Sequence, residues 1–251
     1  MSDVAASGFE AGADDYERGR PGYSDALVAW LVDRLGIGPG TRTVDLAAGT
    51  GKLTRMLVPT GADIIAVEPV EAMRAKLADT CPEVAALDGT AEALPFPDGS
   101  IDALTVAQAF HWFDPSAALA EIARVLRPGG YLGLAFNERD VREPWVAELS
   151  RLIRWDEREK WRVPYTVEVD WAATIGEHGP QFDAAERFDG SYVQPMDRET
   201  LVARVLSTSY IAMLPAGERA DLADKVRELA VPLGDTFDLP YVTVAYAARR
   251  R

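Results

Sequence analysis

The chain reads as an α/β protein, a doubly wound and mostly parallel sheet with a helical cap inserted in its C-terminal half. Three observations lead there. Strand-like and helix-like segments alternate from residue 41 to residue 136. The strand-like segments are short, nearly continuous apolar runs, as expected of strands buried on both faces. Beyond Asn137 the alternation gives way to charged, tryptophan-bearing helical segments, at about 142 to 161 and 197 to 230.

Taken in order, Ser24 is placed to cap a first helix whose face is Leu27, Val28, Leu31, Val32 and Leu35, and Gly36-Ile37-Gly38-Pro39-Gly40 stops it. Thr43-Val44-Asp45-Leu46 is the first strand. It runs into Ala47-Ala48-Gly49-Thr50-Gly51, after which Leu53, Met56 and Leu57 fall at helical spacing. Two glycines there remove side chains where a ligand approaches the backbone. After Pro59-Thr60-Gly61, the run Asp63-Ile64-Ile65-Ala66-Val67-Glu68 is a second strand, and Pro69 opens the helix carrying Met73. A brief third strand spans Glu83 to Leu87 and a fourth Ile101 to Ala107. Pro115 to Leu126 is a helix ended by Arg127-Pro128-Gly129-Gly130, and Tyr131 to Phe136 is a fifth strand. In the C-terminal part, Ala184 to Phe188 reads as a further strand and Leu239 to Tyr246 as the last.

Composition narrows the class of function. Forty acidic against 26 basic residues give a formal charge of −14, and without a basic cluster this disfavours nucleic acid as a partner. No uncharged run reaches membrane-spanning length, and the first residues lack the basic start of a signal peptide. A single cysteine, Cys81, leaves no intrachain disulfide and suits a reducing cytoplasm. With two histidines there is no histidine cluster for a metal, so none is expected.

The glycine turn admits three nucleotide-type readings. A phosphate loop needs Gly-x4-Gly-Lys-Ser/Thr, but Leu46 stands at the first glycine and Leu53 follows Lys52, so that reading fails. A dinucleotide fingerprint needs a third glycine where the chain has Thr54. What remains is Asp45-x-x-x-Gly49-x-Gly51 together with Glu68, 19 residues beyond Gly49. A carboxylate at that spacing ends the second strand beside the turn, where it can accept hydrogen bonds from a ribose diol. The other role open to Glu68 is to stabilise the helix that follows it.

Four stretches together resemble the successive motifs of class I S-adenosylmethionine-dependent methyltransferases of the type 11 small-molecule subgroup. They are Val44 to Gly51, then Val67-Glu68-Pro69 with Met73, then Gly89 to Phe96, and finally Arg124 to Gly130. The resemblance implies a seven-stranded Rossmann-like sheet in a cofactor domain of residues 1–137 and 235–251, with 1–23 as an N-terminal flap; residues 138–234 form a mostly helical substrate cap that includes one strand of the sheet near 184–188. The resemblance also implies S-adenosyl-L-methionine as cofactor. Asp45 with the backbone around Ala47, Gly49, Thr50 and Gly51 would hold the methionine end. Glu68 would take the ribose hydroxyls, with Pro69 and Met73 packing near the adenine. Thr90 and Ala91 would edge the adenine amino group; many relatives have Asp where this chain has Thr90, which shifts weight to the backbone or to Glu92. Ala107 and Gln108 would lie under the methionine moiety, and Tyr16 and Arg20 match a Tyr…Arg-Pro element that closes over the cofactor.

A sulfonium carries an already activated methyl, so such a site needs in-line positioning and exclusion of water more than acid–base chemistry. His111 is the one histidine placed to act as a neutral-pH base near the methyl, or else to shape the acceptor pocket with Trp112 and Asn137. The segment Gln108 to Phe113 is similar to one in methyltransferases of small carboxylic acids, which makes a carboxylate or hydroxyl oxygen of a small molecule the expected acceptor. Trp145, Trp155, Trp161 and Trp171 either pack the cap or line an aromatic acceptor pocket. A nicotinamide-dependent oxidoreductase and a non-catalytic S-adenosylmethionine-binding protein are the alternatives.

Overall fold

The computed structural model describes residues 17–155 and 166–251. Seven strands form one sheet: β1 (Arg42–Leu46), β2 (Asp63–Val67), β3 (Ala85–Leu87), β4 (Ile101–Ala107), β5 (Leu126–Arg139), β6 (Glu186–Met196) and β7 (Phe237–Arg249), in the order β3-β2-β1-β4-β5-β7-β6. The first five are mutually parallel, whereas β7 is antiparallel to both β5 and β6. The chain reverses direction across the sheet between β1 and β4, which creates a crevice at their carboxyl ends where ligands of such sheets bind.

Both faces are covered. One face carries α1 (Asp25–Leu35), the one-turn α2 (Thr54–Leu57) and α3 (Glu71–Thr80), packed on Ala66, Ala103, Ala135 and Ala245. The other carries α4 (Pro115–Val125) and α6 (Trp171–His178) over Leu46, Leu104, Leu132 and Phe136. Small residues on the first face let Leu27, Leu31 and Leu35 of α1 approach closely; a Cβ on Gly133 would come within 2.8 Å of Leu35. Ser24 caps α1 by accepting from the Leu27 N–H (3.2 Å), and Gly36 ends it in the left-handed conformation, as the residues led one to expect.

A third core belongs to α5 (Pro144–Leu152), α7 (Arg198–Leu206), α8 (Ser209–Ala212) and α9 (Ala216–Ala230), which close on Met196, Leu239 and Tyr241 at one end of the β6–β7 hairpin. The helical stretch expected over 197 to 230 is thus three helices, broken at Ser207-Thr208 and Met213-Leu214-Pro215.

Four boundaries differ from expectation, each through tertiary contacts. The helix after the glycine turn stops at Leu57 because Val58-Pro59-Thr60 tightens into a 3-10 turn ended by Gly61. Arg127 to Gly130 does not break the chain into a loop but lies within β5. There the register with β4 slips between Ile101 and Ala103, and Gly130 lies so close that a Cβ would meet the Asp102 carbonyl at 2.8 Å. The strand expected near 184–188 is β6, eleven residues long, since β7 offers a partner along its whole length. Finally, α6, unforeseen within 138–234, docks through Trp171 and Ile175 on the sheet core and not on the cap core. Helical structure in the 142–161 stretch is described only for Pro144–Leu152, and Trp161 lies outside the described residues.

Candidate functional site

At the carboxyl ends of β1, β4 and β5 lies a cavity of about 100 Å3, lined from three sides. The sheet contributes Asp45, Ala47, Thr50, Gln108, His111, Trp112, Asn137 and Glu138; the segment 17–23 contributes Arg20, Pro21 and Tyr23; the cap contributes Trp155, Arg204, Thr208 and Ser209. Each sheet residue lies in the last residues at a strand's carboxyl end or in the connection that immediately follows it. That is why segments distant in sequence converge here.

Asp45 is 1 % exposed. Its Oδ2 accepts from the Thr54 hydroxyl (2.6 Å) and its Oδ1 from the Thr105 hydroxyl (3.0 Å). Burial pushes its pKa up to about 6, against the pull of these hydrogen bonds. Among the described residues no cation lies within ion-pair distance of Asp45. Ala47 and Gln108, at the ends of β1 and β4, both take positive φ (53° and 60°), which turns the chain sharply around the cavity. Gly49 and Gly51 are also left-handed, and a Cβ on Gly51 would press on Leu77 at 3.1 Å. The turn therefore requires glycine by backbone conformation at both positions.

Glu68 is buried, and its two oxygens are split between neighbours: Oε2 accepts from the Gly49 N–H (2.8 Å) and Oε1 from the Val70 N–H (2.9 Å). One bond joins it to the glycine turn and the other to the start of α3, so this carboxylate ties the turn to the helix it was expected to stabilise. Desolvation raises its pKa while the two N–H donors oppose the rise. Pro69 and Met73 follow at the start of α3. Thr90, Ala91 and Glu92 form a turn just beyond β3, closed by a bridge between Thr90 and Ala93, with the Glu92 carboxylate accepting from the Asp114 N–H. The expected site residues thus fall into two groups. One surrounds the cavity; the other, with Glu68, Pro69, Met73 and 90–92, lies past the β1 turn toward β2 and β3 and does not line it.

Residues 17–23 form a strap between the glycine turn and the cap. Arg20 Nη2 donates to the Ser207 carbonyl (2.8 Å), while Asn137 and Gln194 hold the carbonyls of Gly22 and Gly19 (3.0 and 3.1 Å). Glu17 fastens the other end to the glycine turn, pairing with Arg55 (2.8 Å) and accepting from the Thr50 hydroxyl. Lys52 donates to the Glu17 carbonyl (2.7 Å). Tyr16 lies outside the described residues.

His111 lines the cavity with its Nδ1 sealed from solvent and without a hydrogen-bond partner. Desolvation, reinforced by the Arg20 charge, pushes its pKa down to about 3. At neutral pH the imidazole is uncharged and holds protons weakly, which counts against the general-base role expected of it. Asn137 is fixed from both sides, since its carbonyl accepts from Gln108 Nε2 (2.8 Å) and its side chain accepts from the Thr243 hydroxyl (2.5 Å). Of the tryptophans, Trp171 stacks on Phe136 in the sheet core (4.8 Å) and Trp145 packs on Phe237, so both serve packing. Trp155 alone among these three reaches the cavity, beneath the Arg139 guanidinium (4.8 Å).

Sequence reasoning passed over Glu17, Glu138, Arg204 and Thr208, and noted Lys52 only as a failed phosphate-loop lysine. For Arg204 a signal existed. With Leu201 three residues before it and Val205 one after, it puts a charge on an apolar helical stripe, whereas Thr208 lies past the end of that helix.

Residues 44–134 match the family model described as a methyltransferase domain. An uncharacterised methyltransferase of Mycobacterium tuberculosis is 39% identical over 248 residues, covering 96% of this chain and 94% of that one. Among solved structures, a provisionally named type II methyltransferase from Anaeromyxobacter dehalogenans superposes with a TM-score of 0.65 at 22% identity, covering 92% of this chain and 97% of that one. A phosphoethanolamine N-methyltransferase of Haemonchus contortus, bound to phosphomonomethylethanolamine and S-adenosylhomocysteine, superposes with a TM-score of 0.57 at 16% identity, covering 96% and 57%. No helix among the described residues is long and apolar enough to cross a membrane. The nicotinamide reading gives way, and the chain belongs to the class I S-adenosylmethionine-dependent methyltransferases.

Proposed function

We propose that the enzyme transfers a methyl group to an oxygen of a small molecule held between the carboxyl ends of β4 and β5 and the helical cap. The observation that supports this reading is a cavity in which the buried Asp45 carboxylate, with no cation at ion-pair distance among the described residues, shares an enclosed space with Gln108, His111, Asn137 and the cap. At about 100 Å3 it falls below the ~300–1,000 Å3 of pockets that enclose a ligand. This reading therefore requires segment 17–23 to lift when ligands enter.

When bound, S-adenosylmethionine supplies a methyl group already activated by its sulfonium. Asp45, with the backbone of Ala47, Gly49, Thr50 and Gly51, suits a cationic ammonium and the adjoining carboxylate. Each Glu68 oxygen uses one lone pair on a backbone N–H and keeps another for a ribose hydroxyl. Pro69, Met73, Thr90, Ala91 and Glu92 border the adenine side. Ala107 and Gln108 form the floor, and Arg20 is the strap's contribution. His111 acts as a neutral hydrogen-bonding group that orients the acceptor along with Trp112 and Asn137. An acceptor oxygen that arrives ionised needs no base, which agrees with the weak proton affinity of this imidazole.

Calorimetry with S-adenosylmethionine and S-adenosylhomocysteine tests the cofactor half. Binding is expected, and Glu68→Gln is expected to weaken it roughly 10- to 100-fold, the worth of hydrogen bonds to a charged group. Incubation with methyl-labelled cofactor and a small-molecule extract tests the acceptor half by mass spectrometry. Label confined to macromolecules would overturn the proposal.

A further inference from the structure

Three residues that line the cavity each carry a buried polar atom without a hydrogen-bond partner: Arg204 at Nη1, Thr208 at Oγ1 and His111 at Nδ1. Arg204 is 7 % exposed and Thr208 5 % exposed. Native proteins satisfy nearly all such groups, and an orphaned guanidinium nitrogen is among the most costly to leave bare. On its far side Arg204 is fixed. Its Nε donates to Tyr241 Oη (3.2 Å), which in turn donates to Gln194 Oε1 (3.0 Å). Thr208 stands past the break that ends α7, as the residue that opens α8, beside Ser209. Glu138, the nearest carboxylate on the sheet, directs its Oε1 at the N–H and hydroxyl of Thr166, and no described carboxylate lies within ion-pair distance of Arg204.

Building on the methyltransferase reading, we infer that Arg204 and Thr208 form an anchoring site for a carboxylate of the methyl acceptor. A guanidinium presents paired donors that match a carboxylate's two oxygens, and a threonine hydroxyl adds a third donor. Sheet order separates this site from the cofactor. Glu68 and the adenine-side residues follow β2 and β3, the glycine turn follows β1, and Arg204 leans on Tyr241 of β7, beyond both β4 and β5. The methionine carboxylate of the cofactor would fall to the backbone of the glycine turn, on the β1 side of the cavity. A carboxylate paired with Arg204 loses nucleophilicity to the guanidinium, so it anchors the molecule, and the oxygen that faces Gln108 and His111 belongs to another group of the same acceptor.

The test uses the full-length protein saturated with S-adenosylhomocysteine. Butyrate, succinate and benzoate are titrated calorimetrically against the corresponding amides, in the wild type and in Arg204→Met and Thr208→Val. At least one acid is expected to bind the wild type ten or more times as tightly as its amide. Arg204→Met is expected to erase that preference and Thr208→Val to reduce it severalfold, with S-adenosylhomocysteine affinity unchanged within about twofold. Equal binding of acids and amides, no binding of any acid, or a preference that survives both substitutions overturns the anchor while leaving the methyltransferase reading intact. A loss of S-adenosylhomocysteine affinity in the variants assigns the site to the cofactor's own carboxylate and also overturns it. Failure of the wild type to bind S-adenosylhomocysteine at all defeats the underlying reading instead. Thr208→Val is close in shape to the original residue and keeps the test decisive should Arg204→Met not fold.

Discussion

Asp45 shows how one buried residue couples pH to function. Its pKa in the folded protein is about 6, above the 3.8 of an exposed aspartate. The native state therefore holds a proton that the unfolded chain has released between those values. The contribution of this group to stability is greatest below pH 3.8 and declines as pH rises to 6. Cofactor binding has the opposite slope, because only the carboxylate attracts an ammonium. Affinity for S-adenosylhomocysteine is expected to rise up to about tenfold per pH unit below 6 and to level off above 7, measured by calorimetry between pH 5 and 8. Asp45→Asn removes the titrating group, so a pH dependence that survives it would assign the effect elsewhere, Glu68 being the first candidate. The Asp45-x-x-x-Gly49-x-Gly51 spacing and Glu68 were legible because each follows from local strand-turn geometry. The environment of His111 was not, because its low pKa comes from burial and from Arg20, 91 positions away in the chain.

Among the elements, the strap of residues 17–23 has the clearest mechanical role. It is fastened at the glycine turn by Glu17 and at the cap by Arg20 and Gly19, so it bridges the two sides of the cavity. A Cβ on Gly19 would overlap the backbone of Arg204, which leaves no room for any other residue there. Gly19→Ala is therefore expected to unseat the strap without unfolding the sheet. Trypsin should cut faster at Arg18 and Arg20 while the circular dichroism spectrum stays the same, and cofactor should dissociate more quickly. An unchanged cleavage rate would show that the strap is not held at this point. Sequence identified this segment only as an aromatic, arginine-bearing stretch ahead of a helix, since none of its hydrogen bonds is local.

For the molecule as a whole, stability rests on the central sheet and its two faces. Leu104 of β4 is fully buried within the larger core. Leu104→Ala is expected to cost about 2–5 kcal/mol, the range for a leucine truncated in a packed core, and to lower the chemical denaturation midpoint accordingly. A loss under 1 kcal/mol would mean the core collapses around the gap. The fold was readable from Arg42 to Phe136 because each βα unit carries its own signals: apolar runs, capping residues and glycine stops. Beyond that point pairing is long-range. β6 and β7 are set by each other over eleven registered residues, and α6 chooses the sheet over the cap through the stacking of Trp171 on Phe136. By itself the sequence determined the parallel half of the sheet, the glycine turn, and the acid that follows it at the spacing a nucleoside requires. Only the tertiary structure decided which side chains line the cavity. Its wall draws on the turn after β4, the end of β5, α7 and the strap, and no local spacing records which side chains will meet once those segments are buried together.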